Sequence, residues 1–203
     1  SRLPRQGEVS LDGIETTQGI QDMNQSVVLT AGKRTVVRAY VSYNSPSAIA
    51  VRGVLDVYNY ARSAWFTVNS LNTLTVNPAL NDQIRTKREN IANSLNFELG
   101  TDLRNEGWYY MRLQVVPVAG GALTCSDCAS TDNYAFQSPS ATFRVRVLGL
   151  RYTGGSPAAS HAPSAADYNL LRSWLQRAYP VSSVTYSSAT IAATNAWPFN
   201  SNQ

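Results

Sequence analysis

Short runs of alternating apolar and polar residues dominate the first 150 residues of the chain. In residues 33–43, Val37, Ala39 and Val41 alternate with polar or aromatic neighbours, and residues 51–58 repeat the pattern. Successive side chains of a strand point to opposite faces, so this alternation predicts strands with one buried face. We expect these two runs to be antiparallel neighbours, because the turn-forming residues 44–47 lie between them.

Further strand-like runs continue this pattern up to residue 148. They occupy residues 64–68, 71–76, 95–99, 107–118 and 141–148. About seven strands separated by turns predict an immunoglobulin-like antiparallel β-sandwich over residues 1–148. Residues 1–25 precede the first clear run, and we expect them to form an extended N-terminal segment.

The hydrophobic period changes after residue 150. Leu171, Trp174 and Leu175 form a helical stripe, Ser164 is a candidate N-cap, and Pro180 follows the predicted helix of residues 164–178. Strand-like runs at residues 143–152 and 181–186 flank this helix. We therefore predict a partial α/β segment over residues 149–203, either the start of a second domain or a C-terminal extension.

Composition and charge narrow the classes of function. The 203 residues are 43% hydrophobic and only 15% charged, with a net charge of +4, which excludes a coiled coil and a highly charged disordered tail. No apolar run approaches the roughly 20 residues of a membrane span. The basic residues are scattered, so we expect no nucleic-acid partner. Their densest cluster, around Arg85 and Lys87, is predicted to be a solvated loop or short helix.

The sequence offers few residues for catalysis, so we predict a chain without enzymatic activity and without a cofactor. The single histidine, His161, is expected in a surface loop, since a catalytic zinc needs about three protein ligands. Cys125 and Cys128 could form a redox dithiol, half a zinc site or a disulfide. Their place in a predicted loop favours the disulfide, and with it an extracellular location.

Residues near these cysteines are candidates for calcium ligands. Asp127, Asp132 and Asn133 could supply oxygen atoms, although their spacing differs from that of the twelve-residue calcium loop. The alternative is that they are turn-formers that bond their own backbone.

The remaining candidates are aromatic residues that could stack on a ligand: Tyr58, Tyr60, Trp65 and Trp108. Strand alternation predicts that Trp108 and Tyr110 share one face and that Tyr109 lies on the other. We expect most of these rings to pack in the core. The alternative is an exposed platform of coplanar rings that binds sugars.

Two sequence segments near the N-terminus resemble those of a known family. Residues 13–21 (GIETTQGIQ) and 28–41 (VLTAGKRTVVRAYV) resemble the start of an immunoglobulin-like region in secreted bacterial zinc-metallopeptidase-like proteins. The resemblance implies that this region precedes a peptidase domain, whose zinc-binding helix would lie beyond residue 203. No catalytic residue therefore carries over. From the residues alone, we expect Gln18 and Gln21 to hydrogen-bond at a buried strand edge rather than to bind a ligand.

Three functions are compatible with these features. The first is a non-catalytic accessory or binding module of an exported bacterial protein, with a protein or glycan partner at the cell surface. The second is a self-associating or adhesive surface subunit that pairs through its β-edges. The third is a carbohydrate-binding module.

Overall fold

The computed structural model describes residues 7–121, 123–126, 128–138, 143–154 and 157–193, with only the backbone at residues 126 and 129–133. The chain forms two compact units, residues 1–138 and residues 139–203. Within the described ranges, no helix combines the length and the apolar character that crossing a membrane requires.

Unit 1 is mainly β, as predicted. Its strands are β1 (Val9–Thr17), β2 (Leu29–Thr30), β3 (Val36–Tyr43), β4 (Ile49–Asn59), β5 (Ala64–Asn69), β6 (Leu74–Val76), β7 (Leu95–Glu98), β8 (Gly107–Pro117), β9 (Cys125–Ser126) and β10 (Ala129–Gln137). The short helix α1 (Ile84–Glu89) and three 3-10 turns, Pro78–Leu80, Ile91–Asn93 and Thr101–Leu103, lie between strands.

These strands form two sheets. The four-stranded sheet has the order β7-β3-β1-β9, and the six-stranded sheet has the order β2-β10-β8-β4-β5 with β6 also beside β4. Most pairs are antiparallel, but β1 with β9 and β2 with β10 are parallel. The expectation that residues 33–43 and 51–58 pair with each other is wrong, because β3 and β4 lie in different sheets.

The N-terminal segment includes a long strand. Residues 9–17 form β1, which pairs with β3 on one side and β9 on the other. The expected extended segment of residues 1–25 therefore contains an inner strand of the four-stranded sheet. Asp12, Gly13 and Glu15 interrupt the apolar alternation in this strand, so periodicity alone gives no clear strand-like run here.

Both sheets contribute to one hydrophobic core. Val37, Ala39 and Val41 of β3 are buried in it together with inward residues of β4 and β8. Gly53 of β4 lies where a Cβ atom would be 2.6 Å from Cζ of Phe97 in the other sheet. The absence of a side chain at this position lets the two sheets approach closely.

Strands β9 and β10 were not predicted from the sequence. Residues 119–140 were expected to be a long loop, because glycine, serine, threonine, aspartate and asparagine make up half of them. Tyr134 and Phe136 of β10 are nevertheless buried, and Phe136 packs edge-on against Tyr109 at 5.4 Å between ring centroids. Pairing with β8 decides the conformation of this polar segment, whatever its local propensity.

Unit 2 contains β11 (Phe143–Gly154), β12 (Ala159–His161), α2 (Ala165–Ala178) and β13 (Val184–Ala192). β11 and β13 are parallel, so the predicted order of strand, helix and strand is present. Ser164 caps α2, and its backbone N–H donates to Asp167 Oδ2 at 2.8 Å. The expected boundary at residue 148 falls inside β11.

Candidate functional site

One surface of the six-stranded sheet carries five aromatic rings, which we call the outer aromatic face: Tyr58, Tyr60, Trp65, Trp108 and Tyr110. Strand register places Trp65 opposite Tyr58 and Tyr58 opposite Tyr110. Tyr60 and Trp65 are each 49% exposed, and Trp108 is 57% exposed. Large apolar groups are therefore concentrated on a solvent-facing side of the sheet.

The rings of this face support one another at steep angles. Tyr58 contacts Trp65 and Tyr60 at centroid distances of 5.1 Å, with interplanar angles of 52° and 86°. Trp65 and Tyr110 lie 6.0 Å apart at 81°. Edge-to-face packing of this kind fixes the rings relative to one another without making a flat platform.

A charged cluster lies beside these rings. The carboxylate of Asp56 accepts hydrogen bonds from Gln114 Nε2 at 2.6 Å, Arg112 Nη2 at 3.0 Å and Thr67 Oγ1 at 3.1 Å. The guanidinium of Arg112 also lies 5.1 Å from the Trp65 ring centroid. Burial raises the pKa of Asp56, but these hydrogen bonds outweigh it and the pKa lies below its usual value.

A shallow pocket adjoins the rings at Trp108. Its volume is about 200 Å³, and its lining includes Trp108, Val28 and Gln137. A second pocket, of about 510 Å³, lies at the other end of β4 and β5, and its lining includes Arg52, Asn69 and Leu71 but none of the rings. The surface beside Trp108 is therefore concave, which gives a bound macromolecule more area to contact.

The expected alternation in β8 is confirmed, since Tyr109 is buried while Trp108 and Tyr110 lie on the other face. The expectation of core packing is wrong for Tyr60, Trp65 and Trp108. Aromatic residues occur on both the buried and the exposed faces of strands, so hydrophobicity alone does not predict which face such a residue lies on. Arg112 and Gln114 lie on the same face of β8 as Trp108, because alternate residues of a strand share a face. Their polar side chains could have indicated from the sequence that this face meets solvent.

A second polar cluster lies under α1, on the outer side of the four-stranded sheet. Lys87 was expected in a solvated segment, but its side chain is only 3% exposed. Its Nζ donates to Asp12 Oδ2 at 2.5 Å, to the carbonyl of Val41 at 2.8 Å and to Ser42 Oγ at 2.9 Å. The charge run is therefore partly an internal anchor for α1, and the prediction was wrong for Lys87.

Glu15 organises the rest of this cluster. It accepts from Arg88 Nη2 at 3.1 Å and from the phenol of Tyr40 at 2.5 Å. Burial and then the bond to Glu15 raise the pKa of Tyr40, so its hydroxyl remains a donor. Arg38 donates to the carbonyl oxygen of Arg88, in the last turn of α1, and to that of Asn90, which follows the helix. These groups bind one another, which makes them a structural layer.

The structure also places the two cysteines and the single histidine. Cys125 and Cys128 form a disulfide with 5.8 Å between their Cα atoms. They belong to β9 and to the segment before β10, and not to a long loop. His161 is exposed and stacks on Tyr152 at 5.1 Å, but it lies in β12 where a loop was expected.

The calcium candidates fall where side chains are not described. Asp127 lies outside the described residues, as do the side chains of Asp132 and Asn133, whose backbone belongs to β10. Among the side chains that are described, no group of three or more His, Cys, Asp or Glu residues could hold a metal ion.

Gln18 and Gln21 make the hydrogen bonds expected of them. Gln18 Nε2 donates to the Thr30 carbonyl and to Thr35 Oγ1, both at 2.8 Å. Gln21 Nε2 donates to the Val27 carbonyl at 2.9 Å. These amides hold the segment between β1 and β3 against the unit.

Comparison with known proteins adds no family assignment. No family model matches the chain, and a search of curated proteins found no match.

Proposed function

We propose that this chain is a non-catalytic binding module of an exported protein and that it recognises a protein partner through the outer aromatic face. The observation that carries the proposal is the exposed Trp, Tyr and Arg cluster around Trp65. These are the residue types that dominate binding energy at protein interfaces. Four of the five rings, those of Tyr58, Tyr60, Trp65 and Tyr110, are held by contacts with one another, so they lose little conformational freedom on binding.

Ring geometry favours a protein over a glycan. A sugar ring stacks best on a flat aromatic surface, and the planes in this cluster meet at 52° to 86°. Side chains of a protein can insert between such rings and can also reach the Asp56 and Arg112 pair. A carbohydrate-binding module is therefore the weaker candidate.

Strand order supports an immunoglobulin-like architecture for unit 1. In the naming used for that fold, β1, β3 and β7 correspond to A, B and E, and the second sheet, from β2 to β5, corresponds to A′, G, F, C and C′. The parallel pairing of β2 with β10 and the antiparallel pairing of β4 with β8 fit that assignment.

Tyr109 gives independent support. It lies near the start of the strand that corresponds to F, and its hydroxyl donates to the carbonyl of Asn105 at 3.1 Å. A tyrosine in this place that bonds a few residues upstream is a hallmark of immunoglobulin sandwiches. Met111, fully buried two residues later, takes the place of the cysteine of antibody domains.

We further propose that the module serves a larger extracellular protein of bacterial origin. The disulfide fits an oxidising compartment. The resemblance of residues 13–41 to the region before a zinc-metallopeptidase domain suggests an accessory role, in which unit 1 recruits or positions a protein for a neighbouring domain.

A random twelve-residue peptide phage library is the probe that tests the binding face. We expect peptides selected on the full chain to bind the variant Trp65→Ala at least about 30-fold more weakly, since truncating a hot-spot residue costs about 2 kcal/mol or more. Trp174→Ala is the matched control, because Trp174 is similarly exposed, at 52%, but belongs to α2. We expect its affinity to stay within about twofold of the wild type.

Two results would overturn the proposal. One is a set of selected peptides that bind Trp65→Ala and the wild type equally. The other is binding to a glycan array that Trp65→Ala abolishes, which would make the outer aromatic face a carbohydrate site.

A further inference from the structure

Five strands of the described residues of unit 1 lie at a sheet edge, namely β2, β5, β6, β7 and β9, and four of these edges are protected. The edge at β6 is only three residues long. The edge of β7 is covered, since Leu71 N–H donates to the Asn96 carbonyl at 2.7 Å and Asn96 N–H donates to Asn72 Oδ1 at 2.9 Å. The edges at β2 and β9 are two residues long. Short edge strands and covering loops are the means by which proteins avoid edge-to-edge pairing.

The fifth edge, β5, has neither protection. It is six residues long and pairs with β4 on one side, and no strand of the described residues of unit 1 pairs with its other side. Its sequence, AWFTVN, contains no charged residue and no proline. Charged side chains and proline are the other common means of blocking an edge, so the outer backbone groups of β5 can pair with another strand.

We propose that β5 pairs antiparallel with β5 of a second copy of this chain, around a twofold axis at Thr67. This register places Thr67 opposite Thr67 of the second copy and Phe66 opposite Val68 of the second copy. Threonine pairs and pairs of an aromatic with a β-branched residue are favourable cross-strand neighbours. Trp65 then lies opposite Asn69 of the second copy, so no like charges meet.

Self-complementarity argues for a second copy over an unrelated strand. At a twofold interface, the strand must be complementary to an antiparallel copy of itself. β5 meets that condition on both faces, because Phe66 and Val68 exchange places on the inner side while Thr67 meets itself on the outer side. An unrelated extended peptide could form the backbone hydrogen bonds with β5, but its side chains would not be matched to those of β5 in this way.

The pairing has a consequence for the shape of the assembly. The β2-β10-β8-β4-β5 path of each copy has five strands, so the joined path has ten, and the joined sheet has twelve strands when β6 of each copy is included. Residues directly opposite each other share a face of a sheet. The two outer aromatic faces would therefore lie on the same side of the joined sheet, and the dimer would present two copies of that surface. The pairing does not depend on the partner proposed for that surface.

Sedimentation equilibrium of the full chain over a range of concentrations tests the pairing. We expect a monomer–dimer equilibrium in the wild type. Thr67→Lys would place two ammonium groups opposite each other at the axis, and we expect it to raise the dimer dissociation constant at least about fivefold. Within one copy the new lysine faces Asp56 across the β4–β5 pair, which favours the folded monomer.

Thr75→Lys is the matched control, because Thr75 is an exposed threonine of β6, another strand that pairs with β4. We expect it to leave the dissociation constant unchanged. Two results would overturn the proposal. One is a wild type that stays monomeric up to about 100 μM. The other is a dimer that both lysine variants weaken equally.

A cysteine variant tests the register itself. In Thr67→Cys the two new thiols would meet at the axis, while both native cysteines are already in a disulfide. We expect mild oxidation to yield a covalent dimer of Thr67→Cys and a monomer of Thr75→Cys. Equal crosslinking of the two variants would overturn the register even if Thr67→Lys failed to fold.

Discussion

Individual buried charges show how far a residue's environment can differ from its sequence context. Lys87 lies in a run of exposed charges, yet its ammonium is held by Asp12, Ser42 and the Val41 carbonyl. Removing a group from water is compensated only when its bonds are satisfied inside the protein. Such residues respond strongly to the loss of one partner.

Replacing Lys87 should therefore be costly. We expect Lys87→Met to lower the free energy of unfolding by about 3–5 kcal/mol, because the change leaves the buried Asp12 carboxylate without its ion-pair partner and with only the hydroxyl of Ser42 donating to it. Urea denaturation measures this loss. Arg85→Ala is the control, since its side chain is 95% exposed, and we expect it to change stability by less than about 0.5 kcal/mol. Equal effects of the two variants would contradict the structural role of Lys87.

Asp56 gives a prediction about pH. Its pKa is lowered in the folded chain, so its contribution is present above the unfolded value, near pH 4, and is lost as the pH falls through the folded pKa. We expect Asp56→Asn to cost about 1–3 kcal/mol at pH 7 and progressively less below pH 4. Denaturation curves at several pH values measure this difference.

Asp102→Asn provides the comparison for this pH series. The Asp102 side chain is 69% exposed and lies 3.6 Å from Arg62, an exposed pair of the kind that contributes little. A destabilisation by Asp56→Asn that stays constant from pH 7 to pH 2 would show that charge is not the cause.

At the scale of elements, the periodicity of the sequence predicted the helices and strands whose formation depends on nearby residues. α2 has its cap, its stripe and its terminating proline within a few residues, and it was predicted from them. β10 was missed because its sequence favours turns and only its pairing with β8 makes it a strand. Pairing was likewise misjudged for β3 and β4, since sequence proximity does not reveal which sheet a strand joins.

The connection before β8 gives a prediction at this scale. We expect Tyr109→Phe to destabilise unit 1 by about 0.5–1.5 kcal/mol, because the carbonyl of Asn105 loses its donor while the ring stays packed. The neighbouring Tyr110→Phe is the control on the opposite face. Thermal unfolding of the two variants distinguishes them, and an equal loss in both would remove this support for the immunoglobulin-like assignment.

At the scale of the whole molecule, the two units differ in net charge. Residues 139–203 contain five of the 17 basic residues and one of the 13 acidic residues, so the net charge of +4 lies in unit 2. Unit 1 is balanced. The basic character of the chain is therefore no property of the outer aromatic face and predicts nothing about its partner.

Separate units should unfold separately. We expect two thermal transitions, with Lys87→Met shifting only the one from unit 1. Ser164→Ala removes the cap of α2 and should shift only the other, by about 4–8 °C for a loss of about 1 kcal/mol. Calorimetry measures both. A single transition that both variants shift would mean that the units unfold as one.

The sequence by itself determined that the fold is mainly β, the position and cap of α2, and the parity of Trp108, Tyr109 and Tyr110. These depend on local periods and on residue types, which need no knowledge of distant contacts. Only the tertiary structure decided which face of each strand meets solvent, that Lys87 is buried, and that β5 is an open edge. Each of these is a relation between segments far apart in the chain, and burial is a property of the packed whole.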